Sequence, residues 1–254
     1  MHSPAICIFQ LFFTTFAWEK MYKNIASYFI MRIHKEGRLI IAVSAIVFLI
    51  INSLLFYFVE KSLLPYVVGV TSVILFFIVL NFFREPKRIF PTPGDNNVVA
   101  APADGTIVVI EEVMETEYFH EKRMQVSIFM SVFNAHINWI PANGKIIHIS
   151  YHPGRFISAY LPKSSSDNEH SRIIIETVSG DKILVKQIAG AVARRVVTYS
   201  KAGDLCNINQ QLGFIKFGSR VDLLLPLHSE ILVKMDQSVK GNQTIIARLN
   251  KTGI

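Results

Sequence analysis

The sequence is poor in cysteine and lacks the patterns of several common protein classes. Its 254 residues include only Cys7 and Cys206, so a disulfide framework is excluded and a reducing compartment is favoured. The net charge of +7 does not predict a nucleic-acid partner, because no basic run is interleaved with aromatic residues. Several cations flank apolar segments, and attraction to anionic lipid headgroups explains them more economically. No metal site is evident from the sequence.

Charged residues are also absent from two long apolar blocks, 39–59 and 63–83. As helices, each would be about 31 Å long at about 1.5 Å per residue, which matches a hydrocarbon core of about 30 Å. A core helix of a soluble protein usually keeps a polar stripe, and neither block has one. Because only residues 60–62 separate the blocks, we predict a transmembrane helical hairpin within a membrane anchor at 31–86.

The charges around this hairpin predict its orientation. Cations precede the first block and follow the second, whereas the linker carries a single lysine, Lys61. By the positive-inside rule, both outer ends should lie in the cytoplasm of a bacterial inner membrane. Residues 1–30 form an extension whose apolar stretch is short for a span and lacks the basic start of a signal peptide. Met21 and Met31 are alternative start positions.

The remainder, 87–254, has the pattern of a β domain. Prolines and a glycine at 86–94 form a non-helical linker, and short β-rich runs separated by turn residues follow. We therefore predict an all-β, barrel-sandwich-like domain with few helices, in which 179–181 forms a tight hairpin connection. Segments 95–108 and 213–249 resemble parts of biotinyl and lipoyl carrier domains, although the carrier lysine motif is absent. The predicted strands are 106–110, 125–130, 146–150, 172–178, 182–188, 195–199, 214–217, 221–225, 230–235 and 244–247.

The pair Gly218-Ser219 lies between two of these predicted strands. Taken alone, such a pair is usually a tight turn. It also does not fit the G-x-S-x-G elbow of serine hydrolases, because Phe217 and Val221 occupy the glycine positions and a strand follows.

Seven sequence blocks around this pair change the interpretation. They are H-K-E-G-R (34–38), F-F-R-E-P-K-R (82–88), P-A-D-G (102–105), F-N-A-H-I-N-W-I-P (133–141), Y-H-P-G-R-F (151–156), I-A-G-A-V-A-R-R-V-V (188–197) and G-F-I-K-F-G-S-R-V-D-L-L-L-P (213–226). With these blocks in this order, the chain resembles the short-form phosphatidylserine decarboxylases from Arg32 to Leu249, and seven ordered matches argue against chance.

The resemblance implies a proenzyme that cuts itself between Gly218 and Ser219. The products would be a chain 1–218 and a chain 219–254 that remain associated, and Ser219 would become a covalent pyruvoyl cofactor. This group would condense with the amine of phosphatidylserine and serve as the electron sink for loss of CO2, giving phosphatidylethanolamine. A homo-oligomer is possible.

The resemblance also assigns roles to two further residues. His136 would be the general base that activates Ser219, and Asp104 would orient His136, following Ser-His-Asp logic. Longer members of the family carry a second histidine three residues after the first, where this chain has Trp139. We therefore expect His136 to serve both self-cleavage and decarboxylation.

Two alternatives stay open at this point. One is a pyruvoyl decarboxylase for another amino-lipid, and the other is a non-cleaving, membrane-anchored β domain that acts as a carrier or adaptor. An intact Gly218-Ser219 bond in the purified protein would favour the second.

Overall fold

The fold consists of an apolar helical hairpin followed by a β domain. A computed structural model describes residues 32–59, 62–154, 168–190, 195–216 and 219–250. The described residues form two α-helices, one 3-10 turn (Lys35–Gly37) and sixteen strands, which confirms the predicted fold class. The helices are α1 (Arg38–Phe58) and α2 (Leu64–Phe82), and the strands are β1 (Arg32–Ile33), β2 (Arg84–Glu85), β3 (Val98–Ala100), β4 (Gly105–Glu115), β5 (Glu121–Met130), β6 (Ile137–Trp139), β7 (Gly144–His152), β8 (His170–Thr177), β9 (Lys182–Ala189), β10 (Val196–Thr198), β11 (Leu205–Cys206), β12 (Gln211–Ile215), β13 (Ser219–Leu225), β14 (Ser229–Ile231), β15 (Ser238–Val239) and β16 (Ile245–Leu249).

Both helices are long and apolar enough to cross a membrane. They coincide with the predicted blocks 39–59 and 63–83 to within one residue. In the most apolar window of α1 no residue is buried, and in that of α2 only 6% are, so the β domain does not cover them as it would cover core helices. Asn52 donates to Ser72 Oγ at 3.0 Å and joins the two helices. Pro65 lies in the first turn of α2, where its missing N–H costs little.

The open end of the hairpin is fixed to the β domain. β1 pairs with β2 across the base of the two helices, and the His34 amide donates to the Phe83 carbonyl at 2.9 Å. Gly37 packs so closely that an added Cβ would lie 2.3 Å from the Phe83 ring. An apolar cluster joins the end of α2 to the strands β6 and β12, and its buried members are Phe82, Phe83, Ile137, Trp139 and Phe214.

The main sheet has eight antiparallel strands in the order β11-β7-β8-β9-β13-β5-β4-β15. Two three-stranded sheets, β10-β12-β6 and β14-β16-β3, complete the domain. β13 lies at the centre of the main sheet, between β9 and β5, and all of its residues are buried. Val221, Leu223 and Leu225 belong to the main apolar core. Because side chains alternate along a strand, Ser219 faces the same side as these three.

The predicted strands correspond to ten of these strands, and the predicted connection at 179–181 joins β8 to β9, with Gly180 at φ 92°. Six strands of only two or three residues were not predicted: β1, β2, β3, β6, β11 and β15. The two carrier-like segments do meet, since Val239 of β15 pairs with Gly105 at the start of β4.

Candidate active site

Ser219 occupies a dry position at the start of β13. Its neighbours across the sheet are Met130 on β5 and Ala189 on β9. The side chain has no solvent exposure, and Oγ donates to Met130 Sδ at 3.2 Å. A thioether is a weak acceptor, so this contact holds the hydroxyl proton only loosely. Gly218, the other predicted residue of the cleavage site, lies outside the described residues.

His136 lies immediately before β6 and is completely buried. Its Nδ1 is 3.0 Å from the Asn134 carbonyl oxygen. Because that oxygen only accepts, Nδ1 must carry the proton, and Nε2 therefore bears the lone pair. Nε2 is buried and finds no hydrogen-bond partner among the residues that the structure describes. A buried acceptor without a donor is costly in a folded protein, so this nitrogen is a candidate for taking up a proton.

The electrostatics of the pocket keep His136 neutral. Burial lowers the pKa of His136 to about 4, the Asn134 carbonyl opposes this shift, and the Arg84 charge adds to it. Near pH 7 the imidazole is therefore a free base, and a proton donor brought next to Nε2 would find an empty acceptor.

Asp104 lies in the same region but binds other groups. Both of its carboxylate oxygens accept from the Arg88 guanidinium, and one also accepts from the Gly241 amide at 2.9 Å. In the described part of the chain, the hydrogen bond at His136 Nδ1 goes to Asn134 rather than to Asp104. The Asp104 charge raises the pKa of His136 only as the smallest of four contributions. An orienting role for Asp104 through direct contact is therefore not visible, and its part in the chemistry stays a prediction.

Trp139, which stands where longer family members have a second histidine, has a packing role in this structure. Its ring lies so close to Gly241 that an added Cβ there would be 2.5 Å away. The Arg88 guanidinium lies over the ring at 5.3 Å. Trp139 therefore packs against Gly241 and against Arg88, the ion-pair partner of Asp104, and position 139 offers no second imidazole base.

A short turn connects the neighbourhoods of Ser219 and His136. It comprises Ser131–Asn134 and begins directly after Met130. Asn134 Oδ1 accepts from both the amide and the hydroxyl of Ser131 at 2.8 Å. The Asn134 amide donates back to the Ser131 carbonyl at 3.0 Å. These bonds fix the backbone from which His136 projects.

A buried series of hydrogen-bonded polar side chains beside Ser219 was not predicted from the sequence. Asn138 points its amide at Met130 Sδ, 3.8 Å away, and Gln187 donates to Asn138 Oδ1 at 2.7 Å. Gln187 Oε1 in turn accepts from the Ser171 and Thr198 hydroxyls at 2.8 Å. Gln187 could have indicated this network, because it is a polar residue within the largely apolar strand β9.

The geometry defines a β protein that carries an apolar helical hairpin. It has a buried serine on a central strand of the main sheet and a neutral histidine beside the end of the hairpin. A family model described as phosphatidylserine decarboxylase matches residues 75–247. The phosphatidylserine decarboxylase proenzyme of Parabacteroides distasonis is 54% identical over 221 residues, which are 87% of this chain and 100% of that protein. The proenzyme of Porphyromonas gingivalis is 54% identical over 219 residues, 86% of this chain and 99% of the relative. That of Cytophaga hutchinsonii is 47% identical over 218 residues, 85% and 98% of the two chains.

The chain therefore belongs to the phosphatidylserine decarboxylase family. This membership confirms the resemblance and the enzyme class expected from the sequence.

Proposed function

We propose that this chain is a proenzyme that cuts itself between Gly218 and Ser219 and then converts phosphatidylserine to phosphatidylethanolamine and CO2. The observation that carries the proposal is the neutral, buried His136, whose Nε2 has no hydrogen-bond partner among the described residues. His136 is two residues from Asn138, whose amide faces the Met130 sulfur that Ser219 contacts. Family membership supplies the substrate class, since the relatives are phosphatidylserine decarboxylase proenzymes.

In the self-cleavage step, Ser219 Oγ attacks the Gly218 carbonyl carbon, and the hydroxyl proton passes to His136 Nε2. The C–N bond of the peptide breaks as the ester forms, and the proton held at His136 Nε2 passes to the Ser219 nitrogen, which is left as an amine. Elimination then transfers the Cα proton of residue 219 to His136 Nε2, breaks the bond between Cβ and Oγ, releases the Gly218 carboxylate and leaves dehydroalanine at 219. Addition of water converts that residue to a pyruvoyl group and releases ammonia. The weak hold of Met130 on the hydroxyl favours the first transfer.

The pocket suits a covalent pyruvoyl group at 219. Such a group supplies a carbonyl that condenses with the substrate amine and accepts the electrons released as CO2 leaves. Position 219 is fully buried, and its neighbour across the sheet on β9 is the small residue Ala189. His136 Nε2, unprotonated at rest, would take a proton from the substrate ammonium as the amine condenses and deliver it to the substrate carbon after CO2 has left, so one histidine would serve both stages.

The two chains would stay associated after cleavage. Residues 219–254 contain β13, which pairs with β5 and β9 on its two sides. Arg220, directly after the new terminus, donates to Ser127 Oγ on β5 at 2.8 Å and to Asp222 at 2.6 Å. The Gly241 amide, also on the small chain, donates to Asp104. A heterodimer of fragments 1–218 and 219–254 follows from these contacts.

The hairpin would anchor the enzyme in the bilayer that contains its substrate. The exposed apolar surface of α1 and α2 supports this placement. Cations lie at the domain end of the hairpin, and by the positive-inside rule the β domain faces the cytoplasm at a bacterial inner membrane.

The intact mass of the denatured, purified protein tests the proposal. Cleavage would yield a fragment of about 4 kDa, the share of the 28.8 kDa chain that 219–254 represents. It should lack a free amine and react with hydroxylamine, and Ser219→Ala should abolish it. Phosphatidylserine and other amino-lipids in vesicles would then be compared as sources of CO2. A single full-length species from the unmodified sequence, unchanged by Ser219→Ala, would favour the non-cleaving carrier or adaptor.

A further inference from the structure

The turn Ser131–Asn134 lies against the end of α2 that adjoins the β domain. Arg84 donates from Nη2 to the Phe133 carbonyl at 2.9 Å and from Nη1 to the Asn81 carbonyl at 2.8 Å. One guanidinium therefore joins the tip of the turn to the last turn of the helix. The Asn81 side-chain amide also lies 3.5 Å from the Phe133 carbonyl.

The tip of this turn exposes two apolar side chains. Val132 is 40% exposed and Phe133 is 66% exposed. The hydrogen bonds between Ser131 and Asn134 hold the backbone in place, so the two side chains are presented rigidly. An exposed phenylalanine on a fixed turn is costly in water and favourable at a lipid surface.

We propose that Val132 and Phe133 insert into the headgroup region of the bilayer beside α2. This inference rests on the membrane placement of the hairpin given under Proposed function. The apolar run of α2 ends at Phe82, and Arg84 is then a cation at headgroup level. Because Arg84 holds the Phe133 carbonyl, the turn lies at that same depth. An apolar pair beside a cation fits the surface of an anionic bilayer.

This placement brings the lipid surface next to the reactive residues. The turn begins directly after Met130, whose sulfur accepts from Ser219, and ends two residues before His136. A lipid headgroup beside the inserted turn would therefore lie close to the buried serine, because Met130, the residue before the turn, pairs with Ser219 across the sheet. The substrate would enter sideways from the membrane surface and would not have to leave the bilayer.

Depth measurements in vesicles test the inference. The variant Phe133→Cys, with Cys7 and Cys206 replaced by Ser and Ala, would carry an environment-sensitive fluorophore. It would be reconstituted in phosphatidylcholine and phosphatidylglycerol vesicles with a nitroxide high on the acyl chains. The matched control is Met114→Cys, which is 58% exposed at the opposite end of the β4–β5 hairpin. The label at 133 should lose most of its fluorescence, and the label at 114 should lose little.

A third label separates this inference from the proposed function. Val73→Cys lies in the middle of α2, where the side chain is 56% exposed, and should be quenched by a nitroxide deep in the bilayer. If position 73 is not quenched, the membrane placement of the hairpin is wrong. If position 73 is quenched and positions 133 and 114 respond alike, only the inserted turn is refuted. None of the three quenching measurements requires self-cleavage or decarboxylation.

Discussion

The ring of Phe82, the last residue of α2, lies on the ring of His136, with centroids 4.1 Å apart and planes inclined by 35°. The end of the apolar hairpin thus forms a wall of the pocket around the candidate base. Burial, to which this ring contributes, is the largest cause of the low pKa of His136. The hairpin therefore has a second effect besides the proposed anchoring, because it helps to keep the base neutral.

The pH dependence of self-cleavage should follow this pKa. Burial places the pKa of His136 at about 4, below its usual 6.5, so the imidazole stays unprotonated well below neutral pH. Cleavage should be nearly constant from pH 8 to about pH 5, on the usual one-proton titration, and should fail as the pH approaches 4. The measurement is the cleaved fraction over time, on gels, after freshly synthesised precursor is shifted to each pH. A midpoint near 6.5 would contradict the buried, neutral base.

Replacing Phe82 should move that midpoint. Phe82→Leu removes part of the wall over His136 and admits water, so the pKa of His136 should rise toward 6.5. Cleavage would then fail at a higher pH than in the unmodified chain. Phe90→Leu is the matched control, because Phe90 is equally buried but belongs to a separate cluster with Val98 and Ile208. Equal midpoints in the two variants would show that Phe82 does not set the protonation of His136.

Removing the imidazole should block maturation. His136→Gln keeps a polar side chain of similar size but has no basic nitrogen, and a general base typically contributes about 10² to 10⁴ in rate. Full-length protein should therefore accumulate when newly made chains are followed by pulse-chase labelling. His148→Gln, at an exposed position on β7, should mature at the normal rate. Normal cleavage of the His136 variant would place the base elsewhere.

Replacing Asp104 should lower the stability of the folded protein. Its partner Arg88 is largely buried, with side-chain exposures of 12% for Arg88 and 7% for Asp104. Removing one partner of a buried ion pair typically costs about 3–5 kcal/mol, so Asp104→Asn should lower the unfolding midpoint in denaturant. Asp95→Asn is the control, because its pair with Arg248 is exposed and should contribute at most about 1 kcal/mol.

The same variant tests whether Asp104 orients His136. Since its charge raises the pKa of His136 slightly, its loss should shift the cleavage midpoint, if at all, to lower pH. A folded Asp104→Asn precursor that cleaves as slowly as His136→Gln would instead support the orienting role inferred from the resemblance.

The sequence predicted the helices and long strands because their signals are local. Two charge-free blocks determine α1 and α2, β-branched residues determine β8 and β9, and an apolar run of leucines marks β13. The arrangement of the site depends on contacts between distant segments. That Asp104 binds Arg88, and that Phe82 covers His136, depends on how the hairpin base docks against β6 and β12. No local pattern encodes that docking.

Gly213 illustrates the same limit and yields a final prediction. Gly213 begins the G-F-I-K-F-G-S block, but the sequence does not show that it lies against another strand. In the structure an added Cβ would lie 2.0 Å from the Val197 carbonyl oxygen and 2.8 Å from Gln187 Nε2. Gly213→Ala must therefore push β10 from β12 and disturb the bond from Gln187 to Asn138 beside Ser219.

We expect this variant to unfold at lower denaturant concentration and to mature slowly, because overpacking typically costs about 1–3 kcal/mol. Gly94→Ala is the matched control, since nothing lies within 4 Å of an added Cβ at that position, and it should behave like the unmodified chain. The two variants would be compared by denaturant unfolding in detergent and by pulse-chase labelling of the precursor. If Gly213→Ala matched Gly94→Ala in both measurements, the close contact between β10 and β12 would not constrain the site.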